Sequence, residues 1–354
     1  MSNKVPSKGP DKATILKTFD PSQVGLENGN IFGFPFDYDT ADIVVFGVPW
    51  EVTVSFHSGT AQGPQSVLQA SPQLDFYDLD HPDGWKQGIY MPPVPDWIGQ
   101  QNLALRSRAA TVIQALESGQ PTPADALAEV NQGGQRLNDW LRQQTRAALK
   151  QGKTVAVIGG DHSVPLGCLQ ALAEQYPEFG ILHIDAHCDL RDRYQGFRFS
   201  HASIMHNALE IPQISKLVQV GIRDVSQVEI DAIAAANGRV VTHFDSHLKQ
   251  ARYAGTPWLQ LCQQIVSDLP QQVYISCDVD GLDPKLCPGT GTPVPGGLEL
   301  EEAFCLFREV VKRDRQIIGF DLCEVGNSDW DGNVGARIVY KLCNLIGYPN
   351  RVEQ

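Results

Sequence analysis

Short apolar runs rich in Val and Ile recur along the chain, and each stops abruptly at polar residues. They are IVVFGV after Asp42, VAVIG after Thr154, GILHI after Phe179, LVQVGI after Lys216, VVTHF after Arg239, VYISC after Gln272 and IIGFDL after Gln316. Hydrophobicity that is continuous rather than alternating marks strands covered on both faces, as in a parallel sheet. Helix-like stretches separate the runs. The clearest opens at Thr122-Pro123, with Pro at the first helical position, and carries Leu127, Val130, Leu137 and Leu141 to a stop at Lys150-Gln151-Gly152. Others are predicted near 164–176, 224–236, 257–269, 298–313 and 333–346. Strand and helix alternate throughout, which predicts a three-layer α/β/α fold around a central parallel sheet.

Outside this alternation, residues 1–42 are rich in Pro, Gly and Asn and read as an arm. Such an arm packs on a neighbouring subunit or leaves its first 20 residues as a disordered tail. Residues 78–121, with MPPVP at 91–95, read as a long connection. Neither has the pattern of a separate domain, so 43–354 is taken as one catalytic domain, a size single α/β domains reach.

Composition narrows the partners. A formal net charge of −13 disfavours nucleic acid and anionic membrane surfaces and suits a small cationic substrate. The eight cysteines form no CxxC pair and read as buried thiols of a reducing compartment. The polar N-terminus and the lack of a run of about 18 apolar residues point to a cytoplasmic protein.

Candidate chemistry gathers where the runs end, at the carboxyl edge of a parallel sheet. Asp161-His162-Ser163 follows one run, Asp185-Ala186-His187-Cys188-Asp189 another, and Asp278-Val279-Asp280-Gly281-Leu282-Asp283-Pro284 a third. In an extended segment residues i, i+2 and i+4 share a side, so Asp185, His187 and Asp189 can converge, and Asp278 with Asp280 likewise. Buried together without cations these groups would repel, and bound metal resolves the conflict. With His162 the set is nitrogen and oxygen only, fitting Mn²⁺, Fe²⁺, Co²⁺, Ni²⁺ or Zn²⁺. Its size suggests two ions roughly 3.5–4 Å apart, bridged by carboxylate, with a bridging hydroxide as nucleophile. Taken singly, Asp283 before Pro reads as a turn former, and His162 as a helix cap or core residue; three groups at three strand ends favour the joint site.

The segments Gly159-Gly160-Asp161-His162-Ser163, His183-Ile184-Asp185-Ala186-His187-Cys188-Asp189 and Ser276-Cys277-Asp278-Val279-Asp280-Gly281-Leu282-Asp283-Pro284 resemble the three signature motifs of the ureohydrolase (arginase and agmatinase) family. The resemblance covers about residues 43–348. It implies His162 and Asp189 on one ion, His187 and Asp280 on the other, and Asp185 and Asp278 bridging. It also implies an arginase-like parallel sheet of about eight strands and a trimeric or hexameric homo-oligomer. Phe199-Ser200-His201-Ala202 resembles the family segment carrying a proton-shuttling His, with Ala where most relatives have Gly, and Asp321-Leu322-Cys323-Glu324-Val325 the segment whose Glu receives the guanidinium. His201 and Glu324 are thus the implied substrate-binding and catalytic residues, with Asp189 orienting the hydroxide; a helix-start residue and a buried salt-bridge partner are the bland alternatives.

Two loops depart from the best-known members. The stretch 190–198 (LRDRYQGFR) lacks the Asn- and Ser-rich pattern that grips the α-amino acid of arginine. Agmatinases commonly have a Gly- and Arg-containing loop after the first strand; here the loop 47–60 has bulky Trp50 and Phe56 and no Arg, and aromatics plugging the pocket would suit a short substrate, unless both are plain core residues. With the long arm, these features resemble the nickel-dependent guanidine hydrolases, which cleave free guanidine to urea and ammonia. The implied cofactor is then two Ni²⁺, with Mn²⁺ the alternative, and a metal-loading chaperone is a possible partner. Agmatinase and guanidinobutyrase remain alternatives, and so does a catalytically silent metal-binding or sensor protein on the same fold.

Overall fold

The computed structural model describes residues 10–348. Its strands are β1 (Ile43–Val48), β2 (Ile89–Tyr90), β3 (Thr154–Gly159), β4 (Phe179–Ile184), β5 (Ile214–Ile222), β6 (Val240–Phe244), β7 (Gln272–Asp278) and β8 (Gln316–Cys323). They form one sheet, all neighbours parallel, in the order β2-β1-β3-β8-β7-β4-β5-β6. All but β2 coincide with the apolar runs.

Alternate residues of one strand feed opposite layers, which is why the runs are apolar throughout. Ile43 and Val45 of β1, with Ala156 and Ile158 of β3, join one hydrophobic cluster. Val44 and Phe46, with Val155 and Val157, join the other. The edge strand β6 is buried at Val240 only, its other positions being half-exposed.

Helices 166–175, 227–235, 258–267, 300–312 and 329–346 fall where the periodicity places them, and helices 63–70, 204–209 and 245–253 add to these. The helix expected from Pro123 spans Ala124–Leu149, with Pro123 as its N-cap rather than its first residue. It buries Val130, Leu137 and Leu141, while Leu127 packs at the margin.

The connection read over 78–121 is mostly ordered structure. It holds β2 and a helix over Asp96–Glu117, begun at Pro95, whose Ile98, Asn102, Ala109, Val112 and Ile113 face inward. The single apolar stripe is narrow and interrupted by Asn102, and the prolines just before it suggested irregular chain.

The arm folds onto its own chain. Lys12–Thr18 is helical, capped by Asp11, whose side chain accepts from the Thr14 amide. Phe32, Phe34 and Phe36 are buried in the same cluster as Phe76 and Tyr340, with ring centroids 4.6 Å apart for Phe34–Phe76 and 5.1 Å for Phe32–Tyr340. Asn30 pins the turn, its amide nitrogen donating to the carbonyls of Phe34, Phe36 and Ile89. Of the tail expected to be disordered, residues 1–9 lie outside the described residues, and 12–18 are the helix. The end of the expected catalytic domain, 349–354, lies outside as well. The cysteines are free and buried, Cys305 only partly. Among the described residues no helix is long and apolar enough to cross a membrane.

Candidate metal centre

The carboxyl ends of β1, β3, β8, β7 and β4 lie side by side, and the loops leaving them build the site. After β3, the Gly160 amide donates to Val48 O and the Asp161 amide to Trp50 O at 2.7 Å, sewing the turn to the segment after β1. Asp161 serves this scaffold: Oδ1 accepts from the Ser163 amide and hydroxyl, and Oδ2 from the amide and hydroxyl of Thr53 at 3.3 Å.

His162 is buried, and its Nδ1 lies 3.1 Å from Asp185 Oδ2, 3.3 Å from Asp189 Oδ2 and 3.3 Å from Asp278 Oδ2. One ring nitrogen offers one proton or one lone pair, so it cannot satisfy three carboxylates. A second focus adjoins it: His187 Nδ1 is 3.4 Å from Asp185 Oδ1 and 3.2 Å from Asp280 Oδ2. Donor atoms of His162, Asp185 and Asp189 lie within 4.8 Å of one another, as do those of Asp185, His187 and Asp280. The two oxygens of Asp185 thus face different histidines. Every sequence-predicted ligand is brought to this one place, and the donor set fits a pair of divalent cations.

The convergence is not made by strand pleating, as the i, i+2, i+4 spacing suggested. β4 ends at Ile184, Asp185 Oδ1 accepts the His187 amide at 2.6 Å, and Asp189 sits in left-handed backbone at φ 55°. Asp280 lies in a 3₁₀ turn that Asp278 caps, its Oδ1 accepting the Asp280 amide at 2.9 Å. Gly281 of that turn has to be glycine for space: a Cβ there would stand 2.6 Å from the Asp185 amide nitrogen. Asp283 does form the expected turn, accepting from the Lys285 amide.

Crowding like charges out of water shows in the titration behaviour. Burial, then Asp185, pushes Asp189 up to about 6. Burial, then Asp280 and Asp185, drives Asp278 well above the usual carboxylate range. Burial opposes charge on His187, but Asp280 and Asp185 outweigh it and push the imidazole up to about 12. Divalent cations bound there would favour the ionised carboxylates and the neutral imidazole.

Glu324 follows β8, also in left-handed backbone, at φ 61°. Oε1 accepts the His162 amide at 3.0 Å, while Oε2 is buried with no partner among the described residues. Burial, then Asp161 and Asp280, raises its pKa well above the ordinary value. A Cβ at Gly291 would stand 2.8 Å from Oε2, so glycine there leaves that oxygen room. Left-handed backbone at Asp189 and Glu324 costs on the order of 1–3 kcal/mol each, which surrounding contacts must overcome.

His201 begins a short helical turn; its amide faces Thr53 Oγ1 and its Nε2 lies 3.5 Å from Ser55 Oγ. Burial, then His187, presses its pKa down to about 3, so the ring is neutral at physiological pH. Ser55, His187, Asp189, Arg191, Tyr194 and His201 line a cavity of about 270 Å³. The aromatic plug is not formed. Trp50 is a core residue at 1% exposure, and Phe56 is 67% exposed, stacked on His57.

Sequence reasoning passed over several supporting residues. Arg106, from helix 96–117, donates to the carbonyls of Val52 and Val54. Arg223 donates to those of Asp280, Leu282 and Val294. Inside the sheet, Thr242, Gln219, His183, Ser276 and Asp321 stand side by side on β6, β5, β4, β7 and β8. Each is a polar interruption of an apolar run, which was the available signal.

Residues 41–344 match the Arginase family. The N(1)-aminopropylagmatine ureohydrolase of Thermus thermophilus is 32% identical over 88% of this chain and 92% of its own length. An agmatinase of Escherichia coli is 31% identical over 88% and 90%. The structure of agmatine ureohydrolase from Thermoplasma volcanium superposes with a TM-score of 0.69 at 20% identity, covering 94% of this chain and 97% of the other. With the match spanning both strand and site segments, this chain belongs to the arginase family of ureohydrolases, metal-binding hydrolases built on this sheet.

Proposed function

We propose that this chain hydrolyses a small guanidinium compound to urea, free guanidine foremost, using two divalent ions held by His162, Asp185, His187, Asp189, Asp278 and Asp280. The observation that carries the reading is the meeting of three carboxylates on one nitrogen of His162, with Asp185 shared by the His187 group. Nickel is the favoured metal and manganese the alternative, since the donor set accepts both. When bound, the ions supply the acidification of water that a resonance-stabilised guanidinium carbon demands of its nucleophile.

The chain's own groups handle the substrate. Glu324 Oε2 accepts guanidinium N–H groups in a charge-assisted bond, while the His162 amide holds Oε1 still. Asp189 orients the attacking water. His201 starts neutral beside Ser55, accepts at Nε2 the proton released by the attacking water and passes it to the departing nitrogen, ending neutral again.

Free guanidine is supported by Arg191, whose guanidinium stands 5.0 Å over the Tyr194 ring in the cavity wall, next to any cationic tail. Agmatine is the second reading. Asp224 on the same wall can take an ammonium group, and the relatives carry agmatinase and aminopropylagmatine ureohydrolase names. A cytoplasmic homo-oligomer, trimer or hexamer, completes the proposal.

Urea release is to be measured with Ni²⁺ or Mn²⁺ against guanidine, agmatine, arginine and guanidinobutyrate. Guanidine turning over fastest supports the first reading and agmatine the second. No urea under any loading identifies a silent metal-binding protein. Full turnover by Asp185→Ala with normal metal content would overturn the assignment.

A further inference from the structure

Beneath the metal centre lies a row of buried polar side chains that crosses five strands in register, Thr242 beside Gln219, Gln219 beside His183, His183 beside Ser276 and Ser276 beside Asp321. A polar layer in the middle of an apolar sheet is costly unless every group has a partner. Here the partners run in definite directions.

At one end the Thr242 hydroxyl donates to Gln219 Oε1 at 2.9 Å. That turns the Gln219 amide nitrogen toward Cys188 O at 2.7 Å and His183 Nδ1 at 3.0 Å. His183 accepts at Nδ1, so its proton is on Nε2, and that N–H donates to Asp185 Oδ2 at 2.8 Å. His183 is therefore spent in aiming Asp185 and is not free to ligate, although its ring lies among the candidate donors.

At the other end the Ser276 hydroxyl donates to Asp321 Oδ1 at 3.2 Å and so accepts from His162 Nε2–H at 2.9 Å. The lone pair of His162 is left on Nδ1, facing Asp185, Asp189 and Asp278. Asp321 is fully buried, its Oδ2 has no partner, and among the described residues the basic group within ion-pair reach is His162 Nε2 at 3.6 Å.

We infer that this row is a positioning layer for the metal centre, anchored by Asp321, which through Ser276 holds His162 in the tautomer that presents Nδ1 to an ion. The inference rests on the reading of His162 as a ligand. Groups that orient ligating histidines in this way change metal affinity by about 10–100-fold when removed.

The test is calorimetric titration of chelator-stripped protein with Mn²⁺, on the wild type, Asp321→Asn and Ser276→Ala, together with melting of the metal-free forms. The wild type is expected to take two ions per chain. Both variants are expected to lose about 10–100-fold in affinity for one ion. Metal-free Asp321→Asn is expected to melt no lower than metal-free wild type, because the amide has the shape of the carboxylate and leaves the packing of the layer intact. Affinities within about twofold of wild type overturn the inference while leaving the ligands intact. Lost affinity accompanied by a lower melting point in metal-free Asp321→Asn assigns Asp321 a purely structural role and also overturns it. A wild type that binds no Mn²⁺ removes the ligand reading and the inference together. If Asp321→Asn does not fold, Ser276→Ala alone decides, through affinity.

Discussion

Arg106→Met would remove the guanidinium by which helix 96–117 grips the loop after β1. Nη1 donates to Val54 O at 2.6 Å and to Val52 O at 3.3 Å, and the loop between and beyond carries Thr53 and Ser55, which hydrogen-bond His201. A hydrogen bond from a charged donor contributes about 1.5–3 kcal/mol. Desolvation of the half-buried guanidinium offsets part of this, and it lowers the pKa of Arg106 against the pull of Glu51 and Asp161. The rest of the loop stays tethered: the Glu51 amide donates to Asn102 Oδ1 at 2.7 Å, and its carboxylate accepts the Gly59 and Ala61 amides. The perturbation is therefore confined to residues 52–55. A net loss of about 2 kcal/mol in the ordered loop corresponds to about 30-fold in kcat/KM. The assay is urea release with metal content measured on the same sample, expecting the loss mainly in kcat with both ions retained. A variant whose kcat/KM stays within about threefold of wild type would refute the reasoning, and so would loss of metal, which would place the effect elsewhere.

Other expectations concern stability and the close approach of backbones. Burial pushes the Asp78 carboxyl up, but Lys341 Nζ at 2.8 Å and the amides of Asp80 and His81 outweigh it, holding the pKa below its ordinary 3.8. Its stabilisation is complete above that value and lost as pH falls toward the depressed one. Asp78→Asn should therefore cost about 1–3 kcal/mol at neutral pH, with the gap to wild type closing below pH 3.8 in urea unfolding. A gap that does not change with pH would contradict this. Phe34→Ala, at a fully buried ring touching Phe19, Phe32, Phe36 and Phe76, should lower unfolding free energy by about 3–5 kcal/mol with the metal ligands untouched. A smaller loss would mean the arm contributes little to the core. Gly281→Ala would force its methyl against the Asp185 amide and should reduce metal stoichiometry before it reduces helix content by circular dichroism.

The strands were legible because burial on both faces writes itself as unbroken Val and Ile, and the candidate ligands because they stand just where those runs stop. Geometry within the loops was not. Asp189 and Glu324 reach their places through left-handed backbone, which no side-chain spacing encodes. Helix 96–117 was hidden by the prolines before it and by Asn102 in its apolar stripe, a polar residue present there because it bonds the Glu51 amide. Arg106 was passed over with it. The polar row was written in the sequence as one odd residue per apolar run, but its meaning depends on strand order, which puts Ser276 of β7 between His183 of β4 and Asp321 of β8. Phe56 looked like a pocket plug by size alone, and only its exposed stacking on His57 shows otherwise.

Strand order also bears on how the protein is made. Among the described strands β8 is the last to leave the ribosome, yet it occupies the middle of the sheet, between β3 and β7. Until residues 316–323 emerge, β3 with His162 and β7 with Asp278 have no strand to join them. The C-terminal helix, which brings Tyr340 to the rings of Phe32 and Phe76, comes later still. A nascent chain therefore keeps His162 apart from the five donors that the paired strands β4 and β7 deliver until β8 has emerged to join them.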